Sequence, residues 1–274
     1  MNAELAFEPE KKPFRPALRY HGGKWTIAPW IISHFPEHRV YCEPFCGAAS
    51  VLLRKSRSKI EVINDLDDEV TGLFEILRDK DASRVLCELI AFPPFSRADF
   101  KLAYEPAVTA IERARRLVVR SFFGFGSHSF NADNSNGFRS FICKNYASEW
   151  SGVPEALMAI VERINGVMVE NRPALEVIAQ KDSADTLFFI DPPYPTSTRD
   201  GNGKGYRFEM TDHNHRQLAC FLKSVKGKVV LCGYPCDLYD VELFADWRRV
   251  EVSAYAGGQK GRVKRTEVLW MNFQ

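Results

Sequence analysis

The apolar run Leu187-Phe188-Phe189-Ile190 stops abruptly at Asp191-Pro192-Pro193-Tyr194. Consecutive apolar residues with no polar alternation describe a strand buried on both faces. Two prolines in succession then block continuation as strand or helix, since each fixes φ and removes a backbone donor. A carboxylate is therefore held on a rigid turn at the carboxyl end of a buried strand. In an open α/β sheet that is where ligands bind. An ordinary strand-ending turn is the alternative reading.

The rest of the chain supplies the other parts of such a sheet. Residues 40–42 form a short β-like run that ends at Glu43-Pro44-Phe45-Cys46-Gly47-Ala48-Ala49-Ser50, and a helical stretch follows over residues 51–56. Strand, small-residue turn and helix make the opening unit of a nucleotide-binding sheet. Residues 60–63 predict a second strand, ending at Asn64-Asp65-Leu66-Asp67 before a helix over residues 69–78. Strands return at residues 167–169, 187–190 and 228–232, with helices over residues 173–180 and 212–225. Residues 249–255 and 266–273 have no helix between them and predict a hairpin at the sheet's edge.

Between residues 81 and 163 the pattern is helical instead, over 82–91, 97–104 and 107–122, and a turn-rich stretch covers 124–137. Such a block between β-α units marks an inserted subdomain. Residues 1–15, rich in Glu, Lys and Pro, read as a flexible N-terminal arm. The expected division is thus an arm (1–15), a core (16–80 and 164–274) and an insertion (81–163).

Composition narrows the class of protein. With 274 residues, 45% apolar and 26% charged, the chain is not disordered, collagenous or coiled-coil as a whole. Thirty-seven basic residues against 35 acidic give a net charge of +2, which excludes a histone-like protein but not a local basic surface. No apolar run approaches the roughly 18 residues of a membrane helix, and the N-terminus has no apolar signal region, so a cytoplasmic protein without membrane contact is expected. The 7 cysteines include no Cys-x-x-Cys pair and are read as reduced and mostly buried, with no zinc site.

Asp191-Pro192-Pro193-Tyr194 suits methyl transfer to an exocyclic amine. Such an amine is a poor nucleophile because its lone pair is delocalised into the ring. Asp191 can accept one of its N–H groups, and the rigidly held carbonyl of Pro192 the other. The two hydrogen bonds localise the lone pair. Tyr194 offers an aromatic face for a purine, and a base must leave the duplex to reach such a pocket. Three further segments fit a cofactor. In Arg19-Tyr20-His21-Gly22-Gly23-Lys24 the glycines permit close approach of the main chain, and Lys24 precedes a helix. Glu43-Pro44-Phe45-Cys46-Gly47 is a second glycine-bearing turn. Asp65 ends a strand about 20 residues later, where an acid binds ribose hydroxyls. Asp65 also reads as a helix N-cap, a role Asn64 or Asp67 can share. His213 and His215 follow Thr211-Asp212 and read as the first turn of a capped helix rather than metal ligands.

In their order and wording these segments resemble the adenine-N6 DNA methyltransferases of the Dam-like (D12) class, over about residues 16–274. The resemblance implies a Rossmann-like α/β methyltransferase sheet, mostly parallel, with a C-terminal antiparallel hairpin and a mainly helical target-recognition insertion. It implies S-adenosylmethionine as cofactor, S-adenosylhomocysteine as product and no metal. Tyr20, Gly23, Lys24, Glu43, Pro44, Phe45 and Gly47 would line the methionine and sulfonium end. Asp65 would hold the ribose, and Asp191 would lie between cofactor and target amine, with Pro192, Pro193 and Tyr194 completing the catalytic motif. The glycine turn here reads Gly-Ala-Ala-Ser where the family commonly has Gly-Ala-Gly-Ser. The string Phe-Asn-Val-Pro-Phe-Gly of GATC-methylating relatives is absent, so that specificity is not carried over.

Double-stranded DNA is the expected substrate, a separate restriction endonuclease is a partner the resemblance allows, and a monomer is expected. Phosphate contact requires local positive charge. Arg113, Arg116 and Arg120 are spaced to share a helix face, which a solvated face paired with Glu112 also explains. Lys260, Arg262, Lys264 and Arg265 sit in the turn of the terminal hairpin. Arg199, Lys204 and Arg207 belong to a glycine-rich loop after Tyr194, read as closing over the flipped base or gripping the strand, with a plain flexible linker as the alternative. Asn131, Asn136 and Arg139 are candidates for reading base edges. Cytosine-N4 methylation on the same fold, and a non-catalytic DNA-binding relative, are the competing expectations. Methylation of a protein glutamine is a third, which would more naturally pair Asn with Pro-Pro-Tyr.

Overall fold

The computed structural model describes residues 12–126, 130–131, 137–142, 144–199, 205–258 and 261–274. Strands β1 (Val40–Glu43), β2 (Ile60–Asn64), β3 (Met168–Glu170), β4 (Thr186–Ile190) and β5 (Lys228–Gly233) are parallel. Strands β6 (Arg248–Gly258) and β7 (Gly261–Met271) form an antiparallel hairpin, and β7 adds antiparallel to β5. The order across the seven-stranded sheet is β3-β2-β1-β4-β5-β7-β6. This is the mostly parallel α/β sheet with an edge hairpin that the sequence predicts.

Alternation along the strands sends side chains to two apolar layers. Cys42, Val62, Phe188, Ile190, Val229 and Leu231 pack with Val177, Ile178, Leu218 and Leu222, from helices α9 (Ala174–Lys181) and α10 (Asp212–Leu222). Tyr41, Ile63, Leu187, Phe189 and Val230 face the other helices. These are α1 (Ala28–Ile32), α2 (Ser50–Arg54), α3 (Asp68–Arg78), α4 (Lys80–Ala91), α5 (Arg97–Leu102), α6 (Ala110–Phe123), α7 (Tyr146–Ser151) and α8 (Val153–Ile164). Side-chain caps start many of them: Asp67, Asp79, Ser96, Thr109, Asn145 and Thr211 each accept a first-turn backbone N–H. Thr211 forms a full capping box with Asn214. Helices α7 and α8, and a π-helical turn over Leu238–Leu243, were not anticipated.

The chain leaves β1 toward β2 and β3, then returns to lay β4 on the opposite side of β1. The pairing Val40↔Thr186, Tyr41↔Leu187 and Cys42↔Phe188 marks this reversal. A crevice opens there, beyond the carboxyl ends of β1 and β4. Glu43 and Asp191 stand at its two lips.

Helices α4 to α8 do not form a core of their own. Leu86, Ile90, Leu117, Val118, Leu157 and Ile160 join the same cluster as Tyr41, Ile63 and Leu187. A buried ionic knot reinforces the junction. Arg163 of α8 donates to Glu61 Oε2 (2.6 Å), Glu61 Oε1 (3.0 Å) and the Leu52 carbonyl (2.7 Å). Lys55 Nζ lies 2.8 Å from Glu61 Oε1. Most of the expected N-terminal arm falls outside the described residues, but Arg15 docks on the helical block. Its guanidinium donates to the Glu149 carbonyl (3.1 Å) and sits 4.6 Å from the Phe122 ring centroid.

Cys42, Cys46, Cys87 and Cys232 are buried free thiols, Cys220 is exposed, and Cys143 lies outside the described residues. Among the described residues no helix is long and apolar enough to cross a membrane.

Candidate active site

A cavity of about 330 Å³ occupies the crevice between β1 and β4. Its walls bring together Tyr20, Gly23, Lys24, Glu43, Phe45, Gly47, Asp65, Asp191 and Pro193, which lie far apart in the sequence. The first wall is a turn that tightens at Gly22, with φ +69, and Gly23 N donates to Tyr20 O (3.2 Å). It delivers Lys24 into the crevice, where the ammonium is 4% exposed. Lys24 Nζ donates to the Gly22 carbonyl (2.6 Å) and pairs with Asp191 Oδ2 (2.9 Å). Burial alone would depress the Lys24 pKa, but Asp191 and Glu267 outweigh it and hold the group well above the usual lysine range.

Asp191 Oδ1 is buried with no hydrogen-bond partner. Burial lifts the carboxyl to about 6, with Lys24 pulling it back. An acceptor atom thus stands ready at the end of β4, next to a compensating cation. Glu43, at the end of β1, accepts from Leu52 N (3.2 Å) and is pushed up to about 8 by burial.

The glycine turn passes beneath the cavity. Gly47 has φ +47, and a Cβ there would come within 2.7 Å of the Tyr20 ring. Only glycine permits this approach. Asp65 braces the turn: Oδ2 accepts from Gly47 N (2.9 Å) and Oδ1 from Asp67 N (3.0 Å). Burial raises the Asp65 carboxyl to about 6, against the pull of these amides. Asp67, not Asp65, caps α3. Asn64 clamps the neighbouring loop by donating to Pro44 O (2.9 Å) and Arg172 O (3.0 Å). Pro44 and Pro192 do not reach the cavity wall.

Tyr194 is buried and also off that wall. Lys24 Nζ lies 4.8 Å from its ring centroid, and Tyr234 meets it edge-on at 4.7 Å. Its hydroxyl donates to Glu267 Oε2 (2.8 Å).

Sequence reading missed the far wall. Pro173, Ala174 and Leu175, Tyr206 to Met210, and Asn214, Gln217 and Leu218 line it. Asn214 belongs to the capping box of α10, the one local signal that pointed there. Segment 205–210 is fastened by Tyr206 OH to His21 O (3.3 Å) and by Arg207 to Asp67 (3.2 Å) and Asp68 (2.5 Å). His215 lies buried in α10 with Nδ1 2.9 Å from Tyr239 OH, and burial lowers it to about 4. Among the described residues no group of three or more His, Cys, Asp or Glu could hold a metal ion.

The arginines expected at DNA are placed unequally. Arg113 is exposed on α6, Arg116 is half-buried against Glu112 (2.7 Å), and Arg120 is 2% exposed. The face they share is open at Arg113 and turns into the protein toward Arg120. Arg120 donates to Phe130 O (2.9 Å), Ala103 O (2.7 Å) and Glu69 Oε2 (2.6 Å). Arg139 is likewise spent on Phe122 O and Glu149 Oε2, both 2.9 Å, and Asn131 is buried. For Arg120 and Arg139 the expectation of DNA contact is corrected, since their guanidiniums cross-link the helical block and its neighbours; Asn131 is corrected on its burial alone. Arg199 is paired with Glu209 (2.6 Å) and Arg207 with the α3 N-terminus. Lys264 is exposed, and Arg265 stands 6.0 Å from the Tyr234 ring centroid. Asn136, Lys204 and Lys260 lie outside the described residues, as does the side chain of Arg262.

The chain is similar to known proteins. A DNA adenine methylase of Serratia marcescens is 26% identical over 245 residues, covering 86% of this chain and 87% of its own length. A DNA adenine methylase of Salmonella typhi is 23% identical over 244 residues, covering 86% and 84%. A solved precorrin 8w decarboxylase from Methanobacterium thermoautotrophicum is similar over 91% of this chain and 90% of its own at 9% identity, with a TM-score of 0.38. Residues 20–254 match the D12 class N6 adenine-specific DNA methyltransferase family. That family is adenine-specific, so the cytosine-N4 and glutamine expectations lapse. The chain belongs to the D12 class N6 adenine-specific DNA methyltransferases.

Proposed function

We propose that the crevice between β1 and β4 binds S-adenosylmethionine and that Asp191 receives the N6 amine of an adenine turned out of duplex DNA. The observation that carries this reading is Asp191 Oδ1, a buried acceptor without a partner at the mouth of the cavity. Buried polar atoms are nearly always paired, so an orphan here marks the place of a donor that arrives with substrate. The amine N–H is that donor. Lys24, 2.9 Å from the other oxygen, keeps the carboxylate charged while it waits.

The residues present fit the cofactor. The cavity volume falls within the usual range for a small-molecule pocket. Gly47 and Gly23 let main chain approach, and Asp65 stands at the end of β2 with lone pairs left over from its two amide bonds. S-adenosylmethionine supplies the electrophilic methyl group. The chain's own part is to orient: Asp191 accepts an amine N–H and so helps to localise the lone pair, and the apolar walls at Phe45 and Leu218 exclude water. We also propose that residues 81–163 act as the target-recognition insertion, with Arg113 among the described residues open to a phosphate.

The experiment is methyl incorporation into unmethylated duplex DNA, followed by digestion and base analysis. N6-methyladenine is expected from the native chain. Asp191→Ala is expected to fold normally and to lose methyl transfer by at least about a thousandfold, in line with removal of a key charge-stabilising group. Full activity in that variant overturns the site.

A further inference from the structure

Strand β7 carries a carboxylate where the fold has no packing use for one. Its neighbours Val268, Leu269, Trp270 and Met271 are all fully buried, and Glu267 is 8% exposed among them. Burying a carboxylate is costly unless it is paired and hydrogen-bonded. An apolar side chain would serve the strand better. The partners of Glu267 show what it holds. Oε2 accepts from Tyr194 OH (2.8 Å) and lies 3.6 Å from Cys232 Sγ on β5.

Tyr194 ends the turn that begins at Asp191, so the same turn carries the amine acceptor and the aromatic ring. The ring is gripped at three points. Glu267 holds the hydroxyl, Tyr234 packs edge-on, and Lys24 Nζ stands over the face. Of these, the hydroxyl bond is directional and fixes the far end of the ring. Loss of it frees the ring to tilt about its two torsions, and the Asp191 turn with it. We infer that Glu267 is a positioning residue for methyl transfer: it holds Tyr194 by the hydroxyl and so sets the ring plane against which Asp191 presents its acceptor to the target amine. Glu267 also supplies Lys24 with a second negative neighbour, so the ammonium stays compensated when Asp191 turns to the amine.

This inference rests on the assignment of Asp191 proposed above, and the test separates the two. Purified full-length chain is assayed with radiolabelled S-adenosylmethionine and unmethylated plasmid DNA. Glu267→Leu is expected to lower kcat about tenfold with KM for DNA changed by less than about twofold, the pattern of lost transition-state positioning. Glu267→Gln retains an acceptor oxygen and is expected to recover kcat to within about threefold of native. Tyr194→Phe is expected to reproduce the Glu267→Leu loss, and the double variant to add little to either single one. A general structural role would give neither the rescue nor the non-additivity. Glu267→Leu with native kcat, or strictly additive losses, overturns the inference. Should Glu267→Leu fail to fold, Tyr194→Phe decides alone, and native activity in it overturns the inference. Asp191→Ala is run beside them. An active Asp191→Ala, or an inactive native chain, overturns the site itself and this inference with it. An inactive Asp191→Ala beside an unimpaired Glu267→Leu overturns only the role of Glu267.

Discussion

Ala49 occupies a left-handed backbone conformation, φ 49 and ψ 37, at the start of α2, and is fully buried. An L-residue pays roughly 1–2 kcal/mol to stand there. The size of Ala in place of the family's Gly is legible in the sequence, whereas its φ is not. Ala49→Gly relieves the strain but frees the unfolded chain, so stability is expected to stay within about 0.5 kcal/mol of native in urea unfolding. A β-branched Ala49→Val is expected to lose about 2 kcal/mol or more. Glu43 makes a second residue-scale prediction. Its folded pKa of about 8 lies above its unfolded value of 4.5, so the folded state holds the proton longer. The stability this contributes is full below about 4.5 and drains away as pH rises through about 8. Glu43→Gln, which cannot ionise, is expected to flatten that slope and to melt higher than native at pH 9, a difference that thermal melts at pH 6 and 9 resolve.

At the scale of elements, the strands were the most legible. An apolar run such as Leu187 to Ile190, flanked by Pro-Pro, has one reading. Helix starts were legible through their caps, and Thr211 behaved as expected. The π-helical turn at Leu238–Leu243 carries no local signature, and α7 and α8 are short pieces broken at Gly152. The sequence predicts that the loop after Tyr194 closes over the flipped base or grips the strand. Its described end brings Tyr206 and Arg207 to the cavity wall, and Arg207 reaches across to the α3 N-terminus. That contact joins residues 139 apart in the chain, which no local pattern encodes. Arg207→Ala is expected to weaken S-adenosylmethionine binding up to about fivefold in calorimetry, the limit set by a part-exposed ion pair. Native affinity is expected to fall with added salt, and the variant's to depend on it less.

Across the whole molecule, the change of pattern at residue 81 was legible, but the seating of the helical block was not. Its apolar faces join the sheet's own cluster, and Arg163 ties α8 to β2 and α2. Arg163→Ala leaves Glu61 with Lys55 as its remaining cationic partner in a buried setting, and is expected to cost about 3 kcal/mol by denaturant unfolding. The loss is expected in one cooperative transition, with helical and aromatic signals moving together. The seams continue on the other side. Arg19 N donates to Ser121 Oγ (2.6 Å), Arg120 pairs with Glu69 (2.6 Å), and the Tyr20 ring packs tilted against Phe130 with centroids 4.2 Å apart. A block fastened in this way is not an exchangeable cassette. Grafting the helices of a relative onto this sheet would strand the Glu69 and Glu61 carboxylates and the Arg19 amide, so the less disruptive road to a new target sequence is substitution of side chains in place.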